Sequence, residues 1–370
     1  MMKKKWHVLI LLLAGAALVL SGCANKWKTA GKIAMGQKNW EKAISDFQKA
    51  LEQDPKDGEA HFLMAKSYAE MGDYGSLVSH LDAADSLYDK GESKIRELRT
   101  DTWEKLFNSG IKDANEENYE RANEDFGLAI GILPDRYEAY TNKAFVLERM
   151  DQHDSALFYY AEAYKTNPGN IKILENFSSL SYNMGISALG KADSLYAQGD
   201  SVKANSQRAE GLRYLTKADS LYAEILVQDP KHAEALMRRG DIARENGDFQ
   251  SAIDFFNQAV EIDPGNCDLW FNIGVLYFQH MKNNEEALGA FSRAKEVCPD
   301  DVNVLVNIGV VLLEMGDLDE ALAHLESFTR DFPEECISWD LYFRALQKKG
   351  LRQKALEAYN KYEECEGSKQ

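Results

Sequence analysis

Small and large apolar side chains alternate along this chain in a fixed order that recurs about every 34 residues. Seven prolines mark the phase: Pro55, Pro134, Pro168, Pro230, Pro264, Pro299 and Pro333, separated by 79, 34, 62, 34, 35 and 34 residues. With each proline at position 32 of a 34-residue unit, position 20 reads Ala43, Leu77, Ala122, Ala156, Ala218, Ala252, Ala287, Ala321 and Ala355. Position 8 reads Gly31, Ala65, Gly110, Ala144, Ser178, Gly240, Gly274, Gly309 and Phe343. Position 24 is aromatic or leucine throughout: Phe47, Leu81, Phe126, Tyr160, Tyr222, Phe256, Phe291, Leu325 and Tyr359. Helices that cross closely need small residues at the crossing, and a large side chain then fills the space they leave. The prolines lack an amide hydrogen and disfavour helix in the residue before them, so each ends one helical hairpin and starts the next. Gly72-Asp73, Gly247-Asp248 and Gly316-Asp317 supply turns inside hairpins.

This arrangement resembles the tetratricopeptide repeat, whose period is 34 residues. The resemblance implies an all-α fold, a right-handed superhelical solenoid of about nine helical hairpins. The units are 24–57, 58–102, 103–136, 137–170, 171–232, 233–266, 267–301, 302–335 and 336–366, with a tail at 367–370. Two depart from the pattern. The second lacks its proline and has a surplus at roughly 89–102. The fifth carries 28 extra residues within 186–213, whose Ala, Leu and Lys content suggests two prolonged helices. The pentapeptide Ala-Asp-Ser-Leu-Tyr begins at 84, 192 and 218, and its spacing reads as a buried helical stripe.

The resemblance also implies a concave groove lined by positions 2, 5, 6, 9, 12 and 13 of each first helix. These are polar or charged in most units, as with Glu138, Thr141 and Glu148, or Asp241, Arg244 and Glu245. The seventh and eighth units differ, with Phe271, Val275 and Phe278 followed by Val306, Val310 and Leu313. Asn272 and Asn307 lie beside them at position 6, as Asn142 and Asn176 do earlier, although Arg238 interrupts the series. An apolar patch with amide groups is a site for a peptide or helix.

The N-terminus adds an address. MMKKK, an apolar run from Val8 to Leu20 and then Leu20-Ser21-Gly22-Cys23 form a charged start, a hydrophobic segment and a small-residue cleavage site. The uncharged stretch is shorter than the roughly 20 residues a membrane-spanning helix needs. It resembles the signal of bacterial lipoproteins: residues 1–22 are expected to be cleaved and Cys23 to carry lipid. No polar tether follows, so the solenoid of residues 23–366 is expected to start at the bilayer. Ala24 after the lipid cysteine favours the outer membrane, with the solenoid in the periplasm.

Formal net charge is −17, and loss of Lys3, Lys4 and Lys5 with the signal makes it −20. Residues 23–50 nevertheless carry six lysines against Glu41 and Asp46, which suits an anionic membrane surface. The acidic remainder argues against nucleic acid. Cys267 with Cys298, and Cys336 with Cys365, each occupy the two ends of one repeat, so disulfides within repeats compete with free thiols. No catalytic motif, metal-ligand spacing or cofactor loop is present. The expected function is a non-catalytic scaffold or adaptor lipoprotein holding a protein or peptide partner in the cell envelope. The alternative is a self-assembling or cell-wall-associated lipoprotein whose groove is filled internally.

Overall fold

The computed structural model describes residues 26–368, and the regular elements among them are all helical. Four hairpins come first: α1 (26–36) with α2 (Trp40–Gln53), α3 (Gly58–Met71) with α4 (Tyr74–Leu87), α5 (Glu92–Asn115) with α6 (Tyr119–Ile132), and α7 (Tyr137–Arg149) with α8 (His153–Thr166). Five follow: α9 (Ile171–Ala197) with α10 (Ser201–Gln228), α11 (Ala233–Glu245) with α12 (Phe249–Ile262), α13 (Cys267–Val275) with α14 (Asn284–Val297), α15 (Val302–Met315) with α16 (Leu318–Asp331), and α17 (Cys336–Lys348) with α18 (Arg352–Ser368). The chain divides into two compact units, Met1–Ile173 and Leu174–Gln370.

The periodic residues do what their sizes suggest. The eight alanines at position 20 are buried, and the side chains opposite close on the glycines at position 8. A methyl group added at Gly240 would lie 2.5 Å from the Phe256 ring, and one at Gly274 would lie 2.6 Å from Phe291. Each hairpin is thus locked by a residue too small to separate its helices and a neighbour large enough to fill the gap.

The residue before each proline adopts the same non-helical backbone, for example Asp54 at φ −136°, ψ 89° and Leu133 at φ −136°, ψ 87°. Tyr88 adopts nearly that geometry, φ −123°, ψ 67°, without a following proline. The second hairpin therefore ends there, and after a single 3-10 turn over Asp89–Gly91 the chain enters α5. Residues 92–102 accordingly prolong the first helix of the third hairpin, which corrects the boundary expected at 102. Arg99 anchors this extension by pairing with Asp82 and Asp85 of α4 and donating to the Ile132 carbonyl at the end of α6. In the fifth hairpin both helices are long, 27 and 28 residues, and they approach at Gly185 and Gly211.

Inside hairpins, Gly72, Gly247 and Gly316 turn the chain in the left-handed region, at φ 75°, 78° and 78°. Lys38, Glu117, Asp151 and Lys282 occupy the equivalent turns at φ 54° to 60° without being glycine. The one 35-residue spacing, Pro264 to Pro299, has a local cause: beyond Val275 the helix widens into a π turn over Leu276–Met281. A π turn accommodates one extra residue. Past it Ala287 and Phe291 are again wholly buried, so the register is restored within the hairpin.

Among the described residues no helix is long and apolar enough to cross a membrane. The lysines near the start are mostly engaged by carboxylates. Lys28 pairs with Asp57 and Glu59, Lys32 with Glu59, and Lys42 and Lys49 with Asp46. Their charge is thus largely neutralised within the first two hairpins, which corrects the free basic surface expected from counting lysines.

Candidate partner-binding groove

Helix α13 and its π turn carry Phe271, Val275 and Phe278, and α15 carries Val306 and Val310. All five are half-buried, with one side packed on a core that includes Phe291, Leu305, Ile308 and Leu312. Phe271 meets the Phe291 ring at 5.6 Å. The two helices thus share a stripe that is anchored from beneath and still accessible. Leu313 is different: at 3% exposure it belongs to the core, so it is withdrawn from the expected surface. The cause is α17, which packs beside α15 and sends Lys348 Nζ to the Leu313 carbonyl at 3.0 Å.

The asparagines also divide. Asn307 Nδ2 donates to the Asn303 carbonyl one turn back, and Asn142 does the same to Glu138, each at 2.8 Å. Asn272 and Asn176 have no hydrogen-bond partner among the described residues.

On α11, Arg238 stands where an asparagine would continue the series. It lies 4.8 Å over the Tyr182 ring and 3.7 Å from Asp241. Asp241 also accepts from the Tyr182 hydroxyl at 3.2 Å and pairs with Arg244 at 3.4 Å. Burial raises the Asp241 carboxyl above its ordinary range, and the two guanidinium groups oppose that rise. This segment is a closed ion network rather than an open amide site.

A cleft of about 660 Å³ lies between α3 and the extension of α5, floored by Phe62, Leu63 and Leu98 and rimmed by Lys66, Glu97 and Lys105. Phe62, Leu63 and Lys66 occupy groove positions of the second repeat. The opposite wall comes from Lys94, Glu97, Leu98, Asp101, Thr102 and Lys105, none of which a 34-residue template places at a groove position, so the spacing alone did not reveal it.

The structure brings Cys267 together with Cys298 and Cys336 with Cys365 as disulfides, with Cα atoms 6.1 and 5.5 Å apart. Cys23 lies outside the described residues. Among those described, no three His, Cys, Asp or Glu side chains converge as metal ligands.

Serial hairpins that bury small-on-large seams and line a groove with their first helices define a helical-repeat protein built for contact with other polypeptides. Sequence models of the tetratricopeptide repeat match residues 34–76, 137–170, 189–266, 255–289 and 303–335. The chain is a tetratricopeptide-repeat protein. It is 26% identical over 292 residues to Protein O-mannosyl-transferase TMTC3 of Homo sapiens, covering 76% of this chain and 29% of that protein. It is 22% identical over 274 residues to the Hsp70-Hsp90 organizing protein of Triticum aestivum, covering 66% and 42%. The chain therefore spans less than half the length of these curated relatives. Among solved structures, a tetratricopeptide repeat protein from Parabacteroides merdae aligns with TM-score 0.42 at 20% identity, covering 71% of this chain and 93% of that one. YrrB, a TPR protein with an unusual peptide-binding site, aligns with TM-score 0.36 at 18% identity, covering 70% and 95%.

Proposed function

We propose that the mature protein is a lipid-anchored, non-catalytic adaptor of the bacterial cell envelope that captures a segment of another envelope protein on α13 and α15. The observation that carries this reading is the half-buried stripe of Phe271, Val275, Phe278, Val306 and Val310 beside the unpartnered amide of Asn272. Apolar side chains fix a partner segment by burial, and a free amide holds its backbone. Leu-Ser-Gly-Cys at 20–23 supports attachment through Cys23. Two chains or more of acyl lipid are needed for stable residence, and a mature lipoprotein carries at least two. The two disulfides support an oxidising compartment outside the cytoplasm, as the periplasm is. The outer membrane is the proposed site of attachment.

The test is site-specific photocrosslinking from position 275 or 306 in intact cells. A stoichiometric foreign partner, lost in Phe271→Ala with Val310→Asp while the helical content holds, supports the adaptor. Crosslinks to copies of the same chain alone would replace it with the self-assembling reading. Cys23→Ser should leave an unprocessed precursor, and normal maturation with membrane attachment of that variant would overturn the anchor.

A further inference from the structure

The two disulfides differ in their access to solvent. Cys336 and Cys365 are 3% and 9% exposed, so the bond between them is sealed inside the last hairpin. Cys267 and Cys298 are each partly exposed, so the bond between them can be reached from outside. Exchange begins when a thiolate attacks one sulfur of the bond, and exposed disulfides are accordingly the labile ones.

The accessible bond also lies at the groove. Cys267 is the first residue of α13, and Phe271 and Val275 follow it at intervals of four against the same core. Cys298 caps the end of α14. The bond therefore ties the start of the groove helix to the second helix of its own hairpin. α13 runs for nine residues before its backbone widens into the π turn, and so short a helix depends on tertiary fastening to persist. Its other fastenings at this end are local: Asn266 accepts from the Leu269 N–H at 3.2 Å, Leu269 is buried, and the Trp270 indole donates to the Pro264 carbonyl at 3.1 Å.

We propose that the Cys267–Cys298 bond is a redox switch on the groove, a regulation that rests on the adaptor reading above. Oxidised, it holds the start of α13 in place and keeps the apolar stripe assembled. Reduced by a dithiol, it lets that start fray and separates Phe271 and Val275 from Val306 and Val310. In the exchange the S–S bond breaks and the dithiol's two sulfurs join as a disulfide, while its two electrons and two protons pass to Cys267 and Cys298 as thiols. A disulfide oxidant reverses the step. Partner affinity falls with the fraction of molecules whose stripe is assembled.

The experiment treats the full, oxidised mature chain with graded dithiothreitol, traps the thiols by alkylation for peptide mapping, and follows hydrogen exchange on the same samples. Cys267–Cys298 is expected to open at least tenfold faster than Cys336–Cys365. Amide protection in α13 should then fall at least tenfold while α3 and α4 keep theirs. In intact cells, partner photocrosslinking from position 306, on the neighbouring helix, should fall at least tenfold in Cys267→Ser with Cys298→Ser. Mild dithiol treatment of the unsubstituted protein should do the same, and reoxidation should restore the crosslink. Opening of both bonds at one rate, or unchanged α13 protection after selective reduction, would overturn the proposal. A partner captured equally in both redox states would refute the switch and spare the adaptor. Selective opening that loosens α13, with no foreign partner crosslinked in either state, would refute the adaptor reading and spare the switch.

Discussion

Reducing the Cys336–Cys365 bond should loosen the last hairpin while leaving the first unit untouched. The bond joins the first residue of α17 to α18 near its end, closing a loop with a sequence separation of 29. The chain-entropy relation gives about 3.5 kcal/mol for a loop of that length. Reduction is the cleaner perturbation, because both sulfurs are buried and the thiols that replace the bond leave neither a cavity nor a new polar group. Each repeat contacts only its neighbours, so the loss should stay local. Tenfold per 1.4 kcal/mol converts the figure to roughly a 300-fold fall in amide protection along α18. Hydrogen exchange followed peptide by peptide, with and without reductant, measures it, and alkylation of both thiols confirms the reduction. Unchanged protection in α18, or an equal loss in α3 and α4, would refute the local entropic account.

Glu117→Gly should stabilise the protein by about 0.5–1 kcal/mol in urea denaturation, because Glu117 sits at φ 60° and glycine reaches that region without strain. Gly240→Ala should cost about 1–2 kcal/mol, since crowding against Phe256 outweighs the gain in helix propensity, and Phe256→Leu should restore much of it by reproducing the alanine-on-leucine pair that Ala65 and Leu81 form in the second hairpin. Burial depresses the His324 pKa below its ordinary 6.5, partly opposed by its hydrogen bond to the Leu305 carbonyl. The unfolded chain then binds the proton more readily, so this stabilisation is present above about pH 6.5 and declines as pH falls toward the lower folded pKa; melting temperatures between pH 7.5 and 5 should show the loss, and His324→Gln should flatten it.

How much of this could be read from the chain depended on whether a feature repeats. Ala252 and Gly240 sit where their spacing puts them, because hairpin after hairpin imposes the same close crossing. The surplus at 89–102 was visible as a missing proline, but its assignment to α5 was not, since Tyr88 ends its helix with the backbone of a pre-proline residue and no proline behind it. Leu313 shares its phase with the groove residues, yet α17 claims it, and only the packing of the next hairpin reveals that. The Ala-Asp-Ser-Leu-Tyr copies show the same limit: Ala84, Ala192 and Ala218 are all buried, whereas Leu87 and Tyr196 remain exposed and Leu221 and Tyr222 do not. Identical words take their meaning from the helices beside them. The lysines of α1 and α2 count as a basic patch in sequence and as ion pairs in space, because Asp57 and Glu59 arrive from the neighbouring hairpin.

The π turn at Leu276–Met281 behaves like a dislocation in a crystal that heals within one lattice spacing. One inserted residue in a straight α-helix would rotate everything beyond it by about 100°, turning buried positions toward water. Here the misfit is confined to a turn and a half, and the partner helix α14 meets its seam undisturbed. Length can therefore vary at this point without renumbering the rest of the stack. The same tolerance places a locally widened backbone beside Phe278, in the first of the two hairpins where the groove turns apolar.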